Sequence, residues 1–264
     1  REFLQSPAML LALDVGNTNV TVGVFDGAEL VHDGRLATRR EVTGDELAVQ
    51  LRGLLGPAGR LDRIDQVAIS SVVPSMDRAL REAMGRGFDV RPLMVGPGTR
   101  TGIRIHYDPP RDVGADRIVT ALGVRHRYGA PSVIVDFGTA TTLDAIDAQG
   151  DYLGGVIVPG VRLSLDALSQ RAARLPWVEL TVPGAVLART TVASMQAGVV
   201  FGVIGQVEEI VRRMRQEMDG RPQVVATGGL AELLGPQIPC VDHVDPLVTL
   251  EGLRLVAAMN PPGG

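Results

Sequence analysis

The sequence predicts an α/β protein built from two similar halves, and three observations carry that expectation. First, an acidic turn bearing glycine and hydroxyls occurs twice. Asp14–Val15–Gly16–Asn17–Thr18 follows the apolar run 9–13, and Asp136–Phe137–Gly138–Thr139–Ala140–Thr141–Thr142 follows the apolar run 133–135. Second, each turn leads into another strand pattern, 20–25 or 143–146, which closes on a further turn at Asp26–Gly27 or 147–150. Third, a similar series of strands and helices follows each hairpin. Small residues let backbone N–H groups approach phosphate oxygens, and a strand-end aspartate can hold a metal ion beside them. Two such turns suit a clamp for ATP.

In the first half, apolar patterning predicts strands over 10–14, 20–25 and 29–37, a helix over 44–55, a strand over 66–71, a helix over 75–85 and a strand over 91–95. Asp45 and Glu46 suit a helix start, and Gly56–Pro57 suits its end. The stretch 96–112 has little periodicity and holds Gly98, Gly102, Pro109 and Pro110. A connection that long in a compact domain usually carries function. Asp112 reads as the N-cap of a helix running to about Tyr128, stopped by Gly129–Ala130–Pro131. The domain boundary is placed there, giving halves of 9–130 and 131–264.

The second half repeats the scheme. Strands are expected over 132–136, 142–147 and 152–158, then a helix over 161–171 and a loop holding Pro176, Trp177 and Pro183. A long helix over 191–218, a strand over 223–227 ending at Gly228–Gly229, and a last helix over 247–259 complete it. Gly198, Gly202 and Gly205 share one face of the long helix. That suits either packing inside the chain or a seam between two copies. Three antiparallel-capable strands followed by helix–strand–helix–strand is the order of the ribonuclease-H-like half-domain. Two copies facing an interdomain cleft make the actin-like ATPase superfold, to which hexokinase and Hsp70 belong. A fold alone names no substrate.

Composition narrows the chemistry. With 264 residues, 45% hydrophobic and 21% charged, the chain can bury a substantial core. A net charge of −4 argues against a nucleic-acid partner. No apolar run is long enough to span a bilayer, so no membrane association is expected. The one cysteine, Cys240, allows no internal disulfide and fits a reduced, cytoplasmic setting. Residues 1–8, which precede Met9, read as a cloning remnant. All 26 basic residues are arginine. Walker-type loops and protein kinases need a lysine on the phosphates. Phosphoryl transfer here must therefore use backbone amides, hydroxyls, arginine and metal ions.

The sharpest local signal is the helix start Gly114–Ala115–Asp116–Arg117, reached through Tyr107 and Pro109–Pro110. The helix dipole favours an ionised carboxylate at Asp116. Such a carboxylate beside a substrate hydroxyl can accept its proton during phosphoryl transfer. Arg117 would supply positive charge. In an ordinary helix start the two residues would only cap and pair; the proline-rich loop and the two acidic turns favour the catalytic role. The histidines His32, His106, His126 and His243 are scattered and show no metal-ligand spacing. Arg212, Arg213 and Arg215 among Glu208, Glu209 and Glu217 read as a solvated helix face.

These motifs together resemble the type III pantothenate kinases, once grouped with Bvg accessory factor proteins. The resemblance covers essentially all of 9–259. It rests on D-x-G-N-T-N at 14–19, Y-x-P-P-x-x-x-G-A-D-R at 107–117, D-x-G-T-A-T-T at 136–142, G-G-x-I-x-P-G at 154–160 and T-G-G at 227–229. It implies phosphorylation of the primary hydroxyl of pantothenate by ATP, the first step of coenzyme A synthesis. It further implies that Asp14, Val15, Gly16, Asn17, Thr18, Asn19, Val20 and Thr21 bind ATP phosphates, with Asp14 helping to place Mg²⁺. Asp116 would be the proton acceptor. Tyr107, Gly114, Ala115, Asp116 and Arg117 would line the pantothenate pocket. Asp136 would ligate a monovalent cation, K⁺ or NH₄⁺, and Thr139 would touch ATP. Thr191 would reach pantothenate, in this family from the partner subunit of a homodimer. The family commonly has asparagine before that threonine; here it is Thr190. Two alternatives are another small-molecule kinase of the same superfold and a nucleotide-binding regulator without turnover.

Overall fold

A computed structural model describes residues 9–56, 63–172 and 175–261. The cloning remnant expected at 1–8 and the helix stop expected at Pro57 lie outside the described residues. The chain forms two compact units. One takes in residues up to 102, 111–123 and those from 249 onward; the other takes in 103–110 and 124–248.

The first unit is a five-stranded sheet in the order β3-β2-β1-β4-β5. Its strands are β1 (Met9–Val15), β2 (Asn19–Asp26), β3 (Glu29–Ala37), β4 (Ile64–Ser71) and β5 (Leu93–Met94). The first three form an antiparallel meander, while β4 runs parallel to β1 and β5 parallel to β4. Alternation along β1 decides the placement of its acidic end. Met9, Leu11, Leu13 and Val15 join the core beneath α1 (Gly44–Leu55) and α2 (Asp77–Phe88). Leu10, Ala12 and Asp14 face the opposite side. There Gly23, paired with Ala12, meets Leu250 of α7 (Val248–Met259). Thr43 and Glu46 close a reciprocal capping box on α1.

The second unit repeats the plan in the order β10-β9-β6-β7-β8. Its strands are β6 (Ser132–Phe137), β7 (Ala140–Ile146), β8 (Tyr152–Pro159), β9 (Gln223–Thr227) and β10 (His243–Val244). Here β6, β7 and β8 are antiparallel, and β9 and β10 are added in parallel. Val133, Val135, Phe137 and Leu143 pack against Val161 of α4 (Val161–Arg171) and against Val200, Val203, Val207 and Val211 of α5 (Thr191–Glu217).

The structure differs from the sequence reading in several places. The helix expected from Asp112 begins instead as α3 (Ala115–Tyr128), because Pro110–Asp112 forms a separate 3₁₀ turn. The second helix likewise starts at Asp77, after a 3₁₀ turn over Pro74–Met76. The short α6 (Ala231–Leu234) and the two-residue β10 carry too few residues for a periodic signal. Arg215 does not belong to a solvated face; it is half-buried and lies 3.9 Å from Asp242. Gly198, Gly202 and Gly205 are exposed, with nothing among the described residues within 4 Å of where a β-carbon would sit, so the stripe does not pack against the described chain. No described helix is long and apolar enough to cross a membrane.

Candidate active site

In the first unit the acidic turn sits at the carboxyl end of β1. Its backbone is drawn tight by Gly16 N–H donating to the Asn19 carbonyl at 2.9 Å. The segment after β3 buttresses it. Thr38 donates through its amide to the Thr18 carbonyl (2.9 Å) and through its hydroxyl to the Gly16 carbonyl (2.6 Å). Arg40 donates to the Asn17 side-chain oxygen at 3.2 Å. Asn17, Thr18 and Asn19 are exposed, Asp14, Gly16 and Thr21 half-buried. Val15 and Val20 point into the core, so any contact they make with a ligand runs through their backbone. Arg40 had no signal in the sequence, because only the fold of β3 against β2 carries it to the turn.

Asp116 lies in the first turn of α3, in the same unit. Its Oδ1 accepts the Arg117 amide at 2.8 Å, and the carboxylate folds back over Gly114. A β-carbon at Gly114 would overlap that oxygen and would sit 3.6 Å from Val72 Cγ1. Val72 in turn donates its amide to the Val15 carbonyl at 3.1 Å. The acidic turn, the end of β4 and the start of α3 are thereby connected at one edge of one sheet. Gly114, Ala115, Asp116 and Arg117 are all half-buried. A carboxylate held among helix N-terminal amides is suited to stay ionised and to accept a proton.

In the second unit Asp136 is the penultimate residue of β6, as Asp14 is of β1. The following turn is packed against two positions that exclude a side chain. A β-carbon at Gly160 would overlap the Thr139 carbonyl, and one at Gly228, where φ is +91°, would overlap Asp136 Oδ1. Thr139 is exposed beside them. Tyr107, 36% exposed, lays its ring edge against Gly154 of β8. At the start of α5 the Thr190 hydroxyl accepts the Ala193 amide at 3.2 Å, capping the helix, while Thr191 stands exposed.

The second unit also gathers His106, Asp147 and Asp151, whose ligand atoms lie within 4.8 Å of one another. Asp147 Oδ1 already accepts the Gln149 and Asp151 amides, and Asp151 accepts the Arg104 amide. This cluster therefore reads as a stabilised hairpin turn. It was invisible in the sequence because His106 stands some forty residues before the two aspartates.

Comparison with known proteins decides the family. Residues 10–213 match the model of the type III pantothenate kinases. The chain belongs to the type III pantothenate kinase family. It is 51% identical over 253 residues to a type III pantothenate kinase of Moorella thermoacetica, covering 96% of this chain and 100% of the relative. It is 48% identical over 253 residues to that of Geobacter sulfurreducens, at 96% and 99% coverage. Solved structures agree on the fold. An activator of 2-hydroxyisocaproyl-CoA dehydratase from Clostridium difficile, with bound ADPNP, aligns at a TM-score of 0.55 and 16% identity over 94% of each chain. A ROK hexokinase from Thermus thermophilus aligns at 0.50 and 16% identity over 94% of this chain and 98% of the other. The expected actin-like α/β superfold is thus the observed one, and the family is that of an alcohol-acceptor phosphotransferase.

Proposed function

We propose that the chain transfers the γ-phosphoryl group of ATP to the primary hydroxyl of pantothenate, with Asp116 as the proton acceptor. The observation that carries this is the Asp116 carboxylate, held at the start of α3 on the same sheet edge as the Asp14 turn. In the reaction the pantothenate oxygen bonds to the γ-phosphorus as the bond to the β-phosphate oxygen breaks. The hydroxyl proton passes to Asp116, and ADP leaves. Backbone amides at the tip of the turn, Asn17 and Thr18, and the Arg40 guanidinium bind phosphate oxygens. Arg117 orients the acceptor, together with Gly114, Ala115, Tyr107 and Thr191.

The donor sets fit the ions the family implies. Asp14, Asn17, Thr18 and Thr21 offer hard oxygens, the ligands that suit Mg²⁺, which when bound neutralises phosphate charge. Asp136 would hold K⁺ or NH₄⁺: its carboxylate lies over a position where only glycine fits, with the hydroxyls of Thr227 and Thr142 in register beside it. Thr139 contacts ATP. A homodimer is supported by the bare glycine stripe of α5 and by exposed Val192 beside Thr191. The capping role of Thr190 supports Thr191 as the residue that reaches pantothenate. The acidic net charge and the lone thiol support a cytoplasmic enzyme with no nucleic-acid partner.

A coupled assay for ADP, with mass detection of phosphopantothenate, tests the proposal. Turnover should require pantothenate and Mg²⁺, and should fall when Na⁺ replaces K⁺. Phosphorylation of a sugar or acetate but not of pantothenate would overturn the substrate assignment; equal rates in both salts would overturn the role of Asp136. Sedimentation should show two copies per particle.

A further inference from the structure

The two sheets share a feature beyond their turns. On β1, Asp14 stands directly opposite Ser70 of the parallel neighbour β4 and Thr21 of the antiparallel neighbour β2. On β6, Asp136 stands directly opposite Thr227 of the parallel neighbour β9 and Thr142 of the antiparallel neighbour β7. Residues paired in register point to the same face, with side chains about 5 Å apart. Each strand-end carboxylate therefore lies in a row of hydroxyl, carboxylate, hydroxyl.

The hydroxyls on the parallel side stand out. Ser70 is fully buried and Thr227 is 1% exposed, and neither Ser70 Oγ nor Thr227 Oγ1 has a hydrogen-bond partner among the described residues. The Thr142 hydroxyl, by contrast, donates to Asp144 at 3.1 Å. Neighbouring positions on β4 and β9 are apolar: Ala68, Ile69, Val225 and Ala226. An orphaned hydroxyl in such surroundings destabilises the chain, and alanine or valine would pack as well. The same uncompensated group at the same register position in both units points to a use that the ligand-free chain does not reveal.

We infer that Ser70 and Thr227 are positioning residues, whose hydroxyls hydrogen-bond and orient the Asp14 and Asp136 carboxylates when those carry their ions. The inference rests on the ion-binding roles proposed above for the two aspartates. A ligating carboxylate binds well when a neighbouring donor fixes its free oxygen, and loss of such a donor typically weakens metal affinity about 10- to 100-fold. Thr227 serves the monovalent cation and Ser70 serves Mg·ATP.

The test uses the full chain with Thr227→Val, Thr227→Ser, Ser70→Ala and Ser70→Thr. Ion binding is read as thermal stabilisation against KCl, with tetramethylammonium chloride as control, and Mg·ATP binding by calorimetry. Thr227→Val should melt at or above the wild-type temperature without K⁺. Its half-saturating K⁺ should rise about tenfold, with turnover at saturating K⁺ retained. Thr227→Ser should restore the wild-type midpoint. Ser70→Ala should weaken Mg·ATP by a similar factor and leave the K⁺ midpoint alone, and Ser70→Thr should recover most of it. A K⁺-responsive wild type with an unchanged midpoint in Thr227→Val, or unchanged Mg·ATP affinity in Ser70→Ala, would overturn the inference for that residue alone. A wild type indifferent to K⁺ would overturn the cation role of Asp136, and the Thr227 assignment with it. Lower melting temperatures without any change in ligand affinity would make the hydroxyls purely structural.

Discussion

The carboxylate of Asp116 lies directly over the α-carbon of Gly114, so closely that a β-carbon at position 114 would overlap Asp116 Oδ1. The same oxygen accepts the Arg117 amide at 2.8 Å. The orientation of the proposed base therefore depends on the absence of a side chain two residues earlier. Gly114→Ala should displace the carboxylate and cut turnover at least tenfold, since small misplacements at a reacting group are costly. Steady-state kinetics with thermal melting checks this: the melting temperature should hardly move. Wild-type turnover in the alanine variant would show that the carboxylate works from another rotamer.

Asp116→Asn keeps the shape of the side chain and removes its basicity. Turnover should fall by about 10²- to 10⁴-fold, the range typical of general-base help. ATP and pantothenate binding, measured by calorimetry, should persist. Near-normal turnover would remove Asp116 from the proton-acceptor role.

Arg40 reaches the proposed phosphate-binding turn through Asn17 in a chain without lysine. Arg40→Ala should raise the KM for ATP by roughly 3- to 10-fold, the scale of one charge-assisted hydrogen bond at a partly solvated site. The effect should shrink as salt rises, because screening weakens an exposed charge. A KM for ATP that does not change at low salt would confine Arg40 to bracing the turn.

Gly252 on α7 touches the Val119 carbonyl of α3, and a β-carbon there would overlap it. Gly252→Ala should push the helices apart and lower stability by about 1–3 kcal/mol, the usual penalty for overpacking. For a chain of this size that is a drop of roughly 2–4 °C in Tm for each kcal/mol. Denaturant melts would report it, and a variant as stable as the wild type would mean that the helices separate freely.

Tyr128 carries a phenol pushed up to about 12 by burial and by its hydrogen bond to Asp245, which also binds Arg127. The folded chain thus holds this proton more tightly than the unfolded chain, whose phenol titrates near 10. The resulting stabilisation is complete below pH 10 and is lost as pH rises through about 12. Ultraviolet phenolate titrations of the wild type and of Tyr128→Phe should differ by one late-titrating tyrosine. The variant's stability should also fall less steeply over that interval.

Much of this protein was legible from local pattern. The strand-end positions of Asp14 and Asp136, the helices α1 and α4 to the residue, and the glycine-bearing turns all follow from period, capping and turn chemistry, which act within a few residues. The start of α3 lies two residues later than an N-cap at Asp112 implies, because Asp112, a good cap in isolation, is held in a 3₁₀ turn behind Pro110. The orphaned hydroxyls of Ser70 and Thr227 were unreadable, since their meaning depends on the register of β4 against β1 and β9 against β6. The approach of Arg40 to Asn17, the contact between Gly114 and the Asp116 carboxylate, and the exposure of the glycine stripe on α5 belong to the same class, although the sequence itself shows the glycines. Sequence alone determined the chemical groups and the elements that bear them, because backbone propensity and hydrophobic period are short-range. Which groups meet, and which face is left bare, was decided only when strands separated by dozens of residues paired and buried their apolar sides.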